Sequence, residues 1–145
     1  MMKRSHLVLA AAIAIGTAAM TLAGGDALDQ GKPTVKVVST SDIAEKVDGK
    51  KSKATTVEVT LEPGQAGTPH RHPGPVFGYV LEGEYEWAID DQPAKTLKAG
   101  DTFYEPTGCL HRVSKNAGKT KTRVLAVLLA PQGAKELSVP EKPAK

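Results

Sequence analysis

The sequence predicts an all-β fold of the sandwich or barrel type. Short runs of alternating or β-branched residues recur through the chain from residue 34 onward. Clusters of glycine, proline, asparagine and aspartate separate these runs at regular intervals, which is typical of strands joined by tight turns. Outside an apolar N-terminal segment, no long stretch has the periodic spacing of an amphipathic helix.

The N-terminal 23 residues have the pattern of a secretory signal peptide. Lys3 and Arg4 precede an uncharged apolar run at 7–23 that ends in small residues, and this is the order of such peptides. Cleavage is expected after Ala23, with Ala27 as the second choice, so the mature protein is expected to be periplasmic or secreted, without membrane contact. The alternative is an uncleaved anchor, because 17 apolar residues reach the lower limit for a membrane span.

Charge and cysteine content narrow the possible partners. Two of the 19 lysines and arginines lie in the segment 1–23, whereas all 16 acidic residues follow it. The mature chain therefore has 17 basic and 16 acidic residues, a net charge of +1, and no nucleic-acid partner is expected. A lysine cluster at 46–53 is interpreted as a solvated loop. Cys109 is the single cysteine, so the chain can form no internal disulfide.

The predicted domain covers residues 34–130. It is preceded by a small, polar stretch at 24–33 that is expected to form a flexible lead, and it is followed by a flexible tail at 131–145, which is rich in proline and lysine. Residues 34–40 alternate and are β-branched, which predicts the first strand. Residues 41–46 offer a serine N-cap and one turn of helix-forming residues, which predicts a brief helix.

The remaining strands follow in quick succession. Residues 55–62 alternate strictly and place Val57, Val59 and Leu61 on one face. Six further runs are expected to be strands, at 77–81, 84–89, 96–97, 101–104, 110–114 and 123–130. The run at 124–129 is apolar on both faces, which indicates either a fully covered strand or a subunit contact.

Three histidines are the candidate functional residues. His70 and His72 are two residues apart, so in an extended backbone both side chains point to the same face. His111 follows a second run of glycine and proline, from which a neighbouring strand can bring a third imidazole to the same place. Neutral imidazole is the commonest metal ligand in proteins, and catalytic sites keep three protein ligands and one open position. The pattern therefore predicts a metal site.

Two spaced patterns surround these histidines. The first is Gly64, five residues, His70-x-His72, three residues, Val76, six residues and Gly83. The second is Gly100, five residues, Pro106-x-Gly108, two residues and His111, with Asn116 one residue late. In this order and spacing they resemble the two motifs of the cupin superfamily, and the resemblance covers about residues 55–130.

The resemblance implies a double-stranded β-helix, or jelly-roll barrel, with a divalent transition metal held by His70, His72 and His111 inside the barrel mouth. Iron, manganese, nickel, zinc and copper are all candidates. The glutamate of the family's first motif, normally a fourth ligand, corresponds to Val76, or to Phe77 at the longer spacing, and neither can bind a metal. Loss of that carboxylate weakens an oxygenase interpretation, because a site of histidines and a carboxylate suits iron and O₂ chemistry.

Glu105 is a candidate for the missing carboxylate. By alternation it shares a face with Phe103, at a position where cupins usually carry an inward apolar residue. A buried carboxylate is unfavourable unless it is paired or binds a metal. We therefore interpret Glu105 as a catalytic residue, acting either as a ligand or as a general base. The alternative is a residue at the rim, bonded to Arg71 or Arg112.

Four other positions near the motifs are candidates for the core or for the surroundings of the site. Cys109 lies two residues before His111, so a thiolate ligand is conceivable, but a small buried apolar side chain is the more frequent role of free cysteine. Tyr85 and Trp87 share one strand face and are interpreted as core, with pocket lining as the alternative. The missing side chain of Gly78 is expected to leave space near the metal.

Two functions remain open at the level of sequence. The first is a metal-dependent enzyme, an oxygenase, isomerase or lyase, that acts on a small organic molecule. The alternative is a non-catalytic module that binds or senses a small ligand or the metal itself. Serine or cysteine hydrolase chemistry is not expected, because no nucleophile-elbow motif is present. The resemblance also favours a homodimer, with the apolar run at 124–129 as a contact.

Overall fold

The computed structural model describes residues 31–142, and every regular element in that range is a β-strand. The strands are β1 (Thr34–Val47), β2 (Lys50–Leu61), β3 (His70–Arg71), β4 (Val76–Glu82), β5 (Glu84–Ile89), β6 (Lys95–Lys98), β7 (Thr102–Glu105), β8 (Leu110–Asn116), β9 (Thr122–Pro131) and β10 (Val139–Pro140). The predicted signal peptide, residues 24–30 of the lead and the last three residues of the tail lie outside the described range. Within that range, no helix is long and apolar enough to cross a membrane.

The strands form two five-stranded sheets whose pairs are all antiparallel. Sheet A has the order β1-β2-β9-β4-β7, and sheet B has the order β10-β3-β8-β5-β6. Strands distant in sequence are neighbours in both sheets, which is the arrangement of a jelly roll. The all-β double-stranded β-helix expected from the sequence is therefore confirmed.

The hydrophobic core lies between the inward faces of the two sheets. In β9 every second residue is buried, so Val124, Ala126 and Leu128 point inward. Burying an aliphatic side chain of this size contributes roughly 1.5–3 kcal/mol, so the alternation fixes which face is inside. The space beside Gly78 does not open toward the metal site as expected, because the ring of Phe103 fills it.

The brief helix expected at 41–46 is wrong, because β1 continues through this stretch to Val47. Asp48 and Gly49 both have positive φ, at 50° and 73°, which is the backbone of a two-residue hairpin turn. The turn pairs Val47 with Lys50 and sets a ladder between β1 and β2 that extends to Thr34. A ladder satisfies backbone groups that a single helical turn leaves without partners, so tertiary pairing overrides the local helix signal.

Two short strands, β3 and β10, have no counterpart in the sequence prediction. Val139 pairs with Arg71 and Pro140 pairs with His70, so β10 extends sheet B beyond β3. The Glu141 side chain also accepts a hydrogen bond from Arg71 Nε at 2.9 Å. Part of the stretch 131–142 thus lies against the strand that carries the first histidine.

Candidate metal centre

Three histidines converge at one end of the space between the sheets. His70 lies in β3, His72 follows that strand directly, and His111 lies in the neighbouring β8, where it pairs with His70 across the ladder. One ring nitrogen of each histidine lies within 4.8 Å of those of the other two. The structure thus brings together the three side chains that the sequence singled out, in a group that could hold one metal ion.

Backbone carbonyls orient two of the three rings. His70 Nδ1 lies 2.7 Å from the Thr68 carbonyl oxygen, and His72 Nδ1 lies 2.6 Å from that of Leu137. A carbonyl oxygen can only accept, so each Nδ1 carries the proton and, in a neutral ring, each Nε2 has a free lone pair. The two Nε2 atoms are 3.0 Å apart. Second partners of this kind fix the tautomer of metal-binding histidines.

The surroundings keep the buried imidazoles neutral. Burial lowers the pKa of His72, and the nearby His70 lowers it further. Burial lowers the pKa of His111 to about 3, with additional lowering from His70 and His72. The neutral form is the one that binds a metal ion, so these side chains need lose no proton to do so.

The carboxylate of Glu105 lies beside the three rings and not at the rim. Its side chain is 1% exposed, and its Oε1 accepts a hydrogen bond from Trp87 Nε1 at 3.0 Å and lies 3.1 Å from His111 Nδ1. Its Oε2 lies 3.5 Å from His72 Nε2 and has no hydrogen-bond partner among residues 31–142. Burial raises the pKa of this carboxyl group to about 7, although the Trp87 hydrogen bond opposes the rise.

The rim interpretation of Glu105 is excluded by the partners of the two arginines. Arg71 donates to the side chain of Glu141 and to the Gly108 carbonyl oxygen. Arg112 donates to two backbone carbonyl oxygens on the far side of β8, those of Asp90 and Gln92. Neither arginine contacts the Glu105 carboxylate, which was their partner in the rim interpretation.

Glu105 lies directly across the ladder from the position where the cupin motif has its glutamate. Val76, which replaces that glutamate, pairs with Glu105 in the register of β4 and β7. Both side chains are buried and face the space between the sheets. A carboxylate is thus present on the strand next to the position that Val76 occupies, and the strand register reveals that the two positions are neighbours.

The donor atoms fit a divalent metal. His70 Nε2, His72 Nε2 and Glu105 Oε2 are three lone-pair donors that face one another without a hydrogen bond donor between them. Such a cluster is unfavourable unless a cation or a proton lies among its members. Within the described residues, the compact ligand group consists of the three histidines, with Glu105 at its edge.

Cys109 is a small buried side chain of the hydrophobic core and not a metal ligand. Its side chain packs in the hydrophobic core with residues such as Leu61 and Ile89, and burial raises the pKa of its thiol to about 11. A protonated thiol in an apolar environment is a poor metal ligand. Cys109 belongs neither to the histidine group nor to the lining of the adjacent cavity.

A cavity of about 370 Å³ adjoins the histidines. Tyr85 lines it, and this buried side chain donates from its hydroxyl to Ser114 Oγ at 2.9 Å, with the same hydroxyl 3.4 Å from His111 Nε2. Tyr85 is thus both core and cavity wall, whereas Trp87 is core and holds Glu105. The sequence gives no signal for the Leu137 carbonyl group, because it lies 65 residues from the histidine that it orients.

The comparisons with known proteins agree with this fold. The family profile described as a cupin domain matches residues 57–128. No curated protein matches the chain. A solved structure of an uncharacterized conserved protein with a double-stranded β-helix domain, from Klebsiella pneumoniae, is 26% identical with a TM-score of 0.60, over 77% of this chain and 87% of that one.

Two enzymes are also among the similar structures. A recombinant oxalate oxidase in complex with glycolate is 26% identical with a TM-score of 0.54, over 70% of this chain and 52% of that one. A DMSP lyase from Ruegeria pomeroyi is 19% identical with a TM-score of 0.58, over 79% of this chain and 54% of that one, and shares the fold. The chain spans about half the length of each enzyme. Motifs, fold, family profile and neighbours agree, and this chain is a member of the cupin superfamily.

Proposed function

We propose that this cupin is a metal-dependent enzyme that acts on a small organic molecule, with a divalent transition metal at the three histidines and a proton carried by Glu105. The observation that carries the proposal is the burial of the Glu105 carboxylate against His72 and His111. An isolated buried carboxylate destabilises a fold. Its position beside a ligand group is explained if it serves the chemistry there.

Different residues of the chain have different roles in such a site. Lewis acidity toward an oxygen of the bound molecule is the chemistry that a divalent metal supplies when bound here. Trp87 donates to Oε1 of Glu105, which also lies beside His111, and Oε2 is left free to accept a proton and return it. A carboxyl group with a pKa of about 7 can do both near neutral pH. Isomerase and lyase reactions use such a transfer, and they fit better than oxygenase chemistry.

The enzyme neighbours support catalysis without naming a substrate. Oxalate oxidases that resemble the chain at 25–26% identity are enzymes on the same fold. The chain spans 52–66% of their length, so their activity is not assigned to it. One fold supports many reactions, and the site has to identify this one.

The test is anaerobic reconstitution of the full chain with iron(II), manganese, nickel, zinc or copper, followed by metal analysis, O₂ uptake and turnover of small organic acids. We expect one metal per chain and turnover without O₂ consumption. Glu105→Gln should keep the metal but lower turnover by roughly 10²–10⁴-fold, the usual contribution of a positioned acid–base group. Glu62→Gln, at an exposed carboxylate, is the matched control.

Two results would contradict the proposal. Tight metal binding without turnover of any compound would favour the alternative, a non-catalytic module that binds or senses a small ligand or the metal. Full turnover by Glu105→Gln would remove Glu105 from the mechanism while leaving the metal site intact.

We also propose that the protein is exported and forms a homodimer. Export is supported by the signal-like segment 1–23, and an intact mass that corresponds to cleavage after Ala23 or Ala27 would establish it.

The dimer is supported by an outer aromatic patch on sheet A, which consists of Phe77, Tyr79 and Tyr104, each 44–50% exposed. Contiguous exposed apolar surface of this kind marks an interaction site.

A further inference from the structure

The cavity beside the histidines has mainly apolar walls, with polar side chains at one end. The apolar walls include inward-facing side chains of β2, β4 and β9, namely Val57, Val59, Val76, Val124, Ala126 and Leu128. Polar side chains of the site are gathered at one end, around the three histidines, Glu105 and Tyr85. A molecule in this cavity therefore meets polar groups at its head and hydrocarbon along its body.

Cationic side chains are nearly absent from these walls. The three arginines of the described range donate to acceptors outside the cavity, and none of them lines it. Lys32 is the cationic side chain among residues 31–142 that lines the cavity, and it is exposed to solvent. In a compact dicarboxylate, the oxygens that do not face the histidines would lie against apolar walls and beside the Glu105 carboxyl group, without a partner.

The size of the cavity limits the ligand further. A volume of about 370 Å³ lies at the lower end of the range for pockets that bind small molecules. A cavity of this volume has room for a body the size of one ring or a branched aliphatic chain. Burial of such a body against valine and leucine side chains provides affinity in proportion to its apolar area.

We propose that the ligand of this site is a mainly apolar organic molecule that enters head-first, with one oxygen-bearing group at the histidines and its hydrocarbon body against β2, β4 and β9. This inference rests on the proposed function, because the head group is the part that the metal would bind. It excludes small dicarboxylates such as oxalate as the preferred ligand.

The test compares two probes with the same metal-binding head and different bodies, benzohydroxamate and acetohydroxamate. Titration calorimetry of the zinc-loaded full chain, with oxalate as a third probe, measures each affinity. The phenyl body should strengthen binding by roughly 10–100-fold relative to the methyl body, from the additional apolar area that it buries. Val59→Phe, which fills the cavity, should remove this preference, whereas Val127→Phe on the outer face of β9 should keep it.

Equal affinities for the two hydroxamates in the unaltered chain would overturn the inference, and so would oxalate binding more tightly than benzohydroxamate. If the chain takes up none of the five metals, the proposed function fails, and the apolar body is tested separately. In that case toluene, a neutral molecule with one ring and no metal-binding head, should still bind the metal-free chain in a calorimetric titration and lose affinity in Val59→Phe. Absence of toluene binding would reject the apolar ligand as well.

Discussion

Close contacts among three side chains set the geometry at the polar end of the site. Trp87 Nε1 donates to Glu105 Oε1, and the same oxygen lies 3.1 Å from His111 Nδ1. The carboxylate therefore lies next to the His111 ring, where outer partners of metal-binding histidines are commonly found. Because Trp87 is the single tryptophan of the chain, its fluorescence reports directly on this position.

Trp87→Phe tests this connection, because it removes the N–H donor and keeps an aromatic ring in the core. The free energy of unfolding should fall by roughly 2–4 kcal/mol, from the smaller side chain and the lost hydrogen bond. Denaturant unfolding measures this loss, and a titration measures metal affinity. In a double-mutant cycle with Glu105→Leu, which removes the acceptor, the two changes should show a coupling of about 1 kcal/mol or more. Strict additivity would contradict the proposed link.

Sequence reasoning identifies these residues but not their contacts. Alternation along one strand predicts that Glu105 shares a face with Phe103, and the spacing of His70 and His72 predicts a common side. The contact of Glu105 with His111 depends on how far apart the two facing sheets lie, which no local pattern encodes. For the same reason, the pairing of Val76 with Glu105 becomes visible only from the register of β4 and β7.

At the level of elements, β10 and the residues before it support the metal site from a distance in sequence. The Leu137 carbonyl group orients His72, and β10 extends sheet B beside His70. The sequence predicts a flexible tail here because prolines and lysines dominate and no hydrophobic period is present. Strand β10 has two residues and pairs with β3, which also has two, so neither strand has an alternating pattern long enough to recognise in the sequence.

Truncation after Glu136 is the direct test of this support. Without Leu137 and β10, the ring of His72 loses its hydrogen-bond acceptor, and metal affinity should fall by roughly 10–100-fold. Calorimetric titration with zinc measures the change, and circular dichroism verifies that the sheets remain. Truncation after Lys142, which removes three residues, is the control and should leave affinity unchanged. Equal affinity in both truncated chains would show that this stretch does not position the histidine.

Close packing between β4 and β7 makes a second prediction at this scale. A Cβ atom added at Gly78 would overlap the ring of Phe103, and that ring packs against Tyr85 and Trp87 with centroids 5.7 Å and 5.6 Å away. Gly78→Ala should therefore lower the free energy of unfolding by roughly 1–3 kcal/mol, as overpacking does in dense cores. Gly133→Ala, where an added Cβ meets nothing within 4 Å, should change it by less than about 0.5 kcal/mol. A neutral Gly78→Ala would mean that Phe103 can move freely.

At the scale of the whole molecule, strand periodicity and turn residues predict the fold class well. Alternation in 84–89 gives β5 with the observed ends, whereas the run at 124–129 is apolar on both faces and only the structure shows which face of β9 is inside. The hairpin of β1 and β2 is missed, although its Asp-Gly turn is a recognised local signal, because short-range helix preferences at 41–46 compete with it. Whether residues 41–46 form a helix or a strand is decided by their pairing with β2, and that pairing cannot be read from a single sequence.

The outer aromatic patch predicts the state of association. Phe77 and Tyr104 are paired across β4 and β7, with ring centroids 5.2 Å apart, and both are half exposed. Phe77→Lys should convert a dimer into a monomer, because a charge placed in the centre of an apolar contact loses its hydration. Light scattering coupled to size-exclusion chromatography measures the mass. Lys98→Glu, at an exposed position in sheet B, is a control that should remain dimeric, and a monomeric unaltered chain would contradict the prediction.

Anomalous diffraction from crystals of the zinc-loaded full chain tests the central proposal for this molecule, that its three histidines share one metal ion. We expect one peak per chain, with nitrogen atoms of His70, His72 and His111 each at about 2.0–2.1 Å from it. A metal peak elsewhere on the protein, or no bound zinc when zinc and chain are equimolar, would contradict this account of the site.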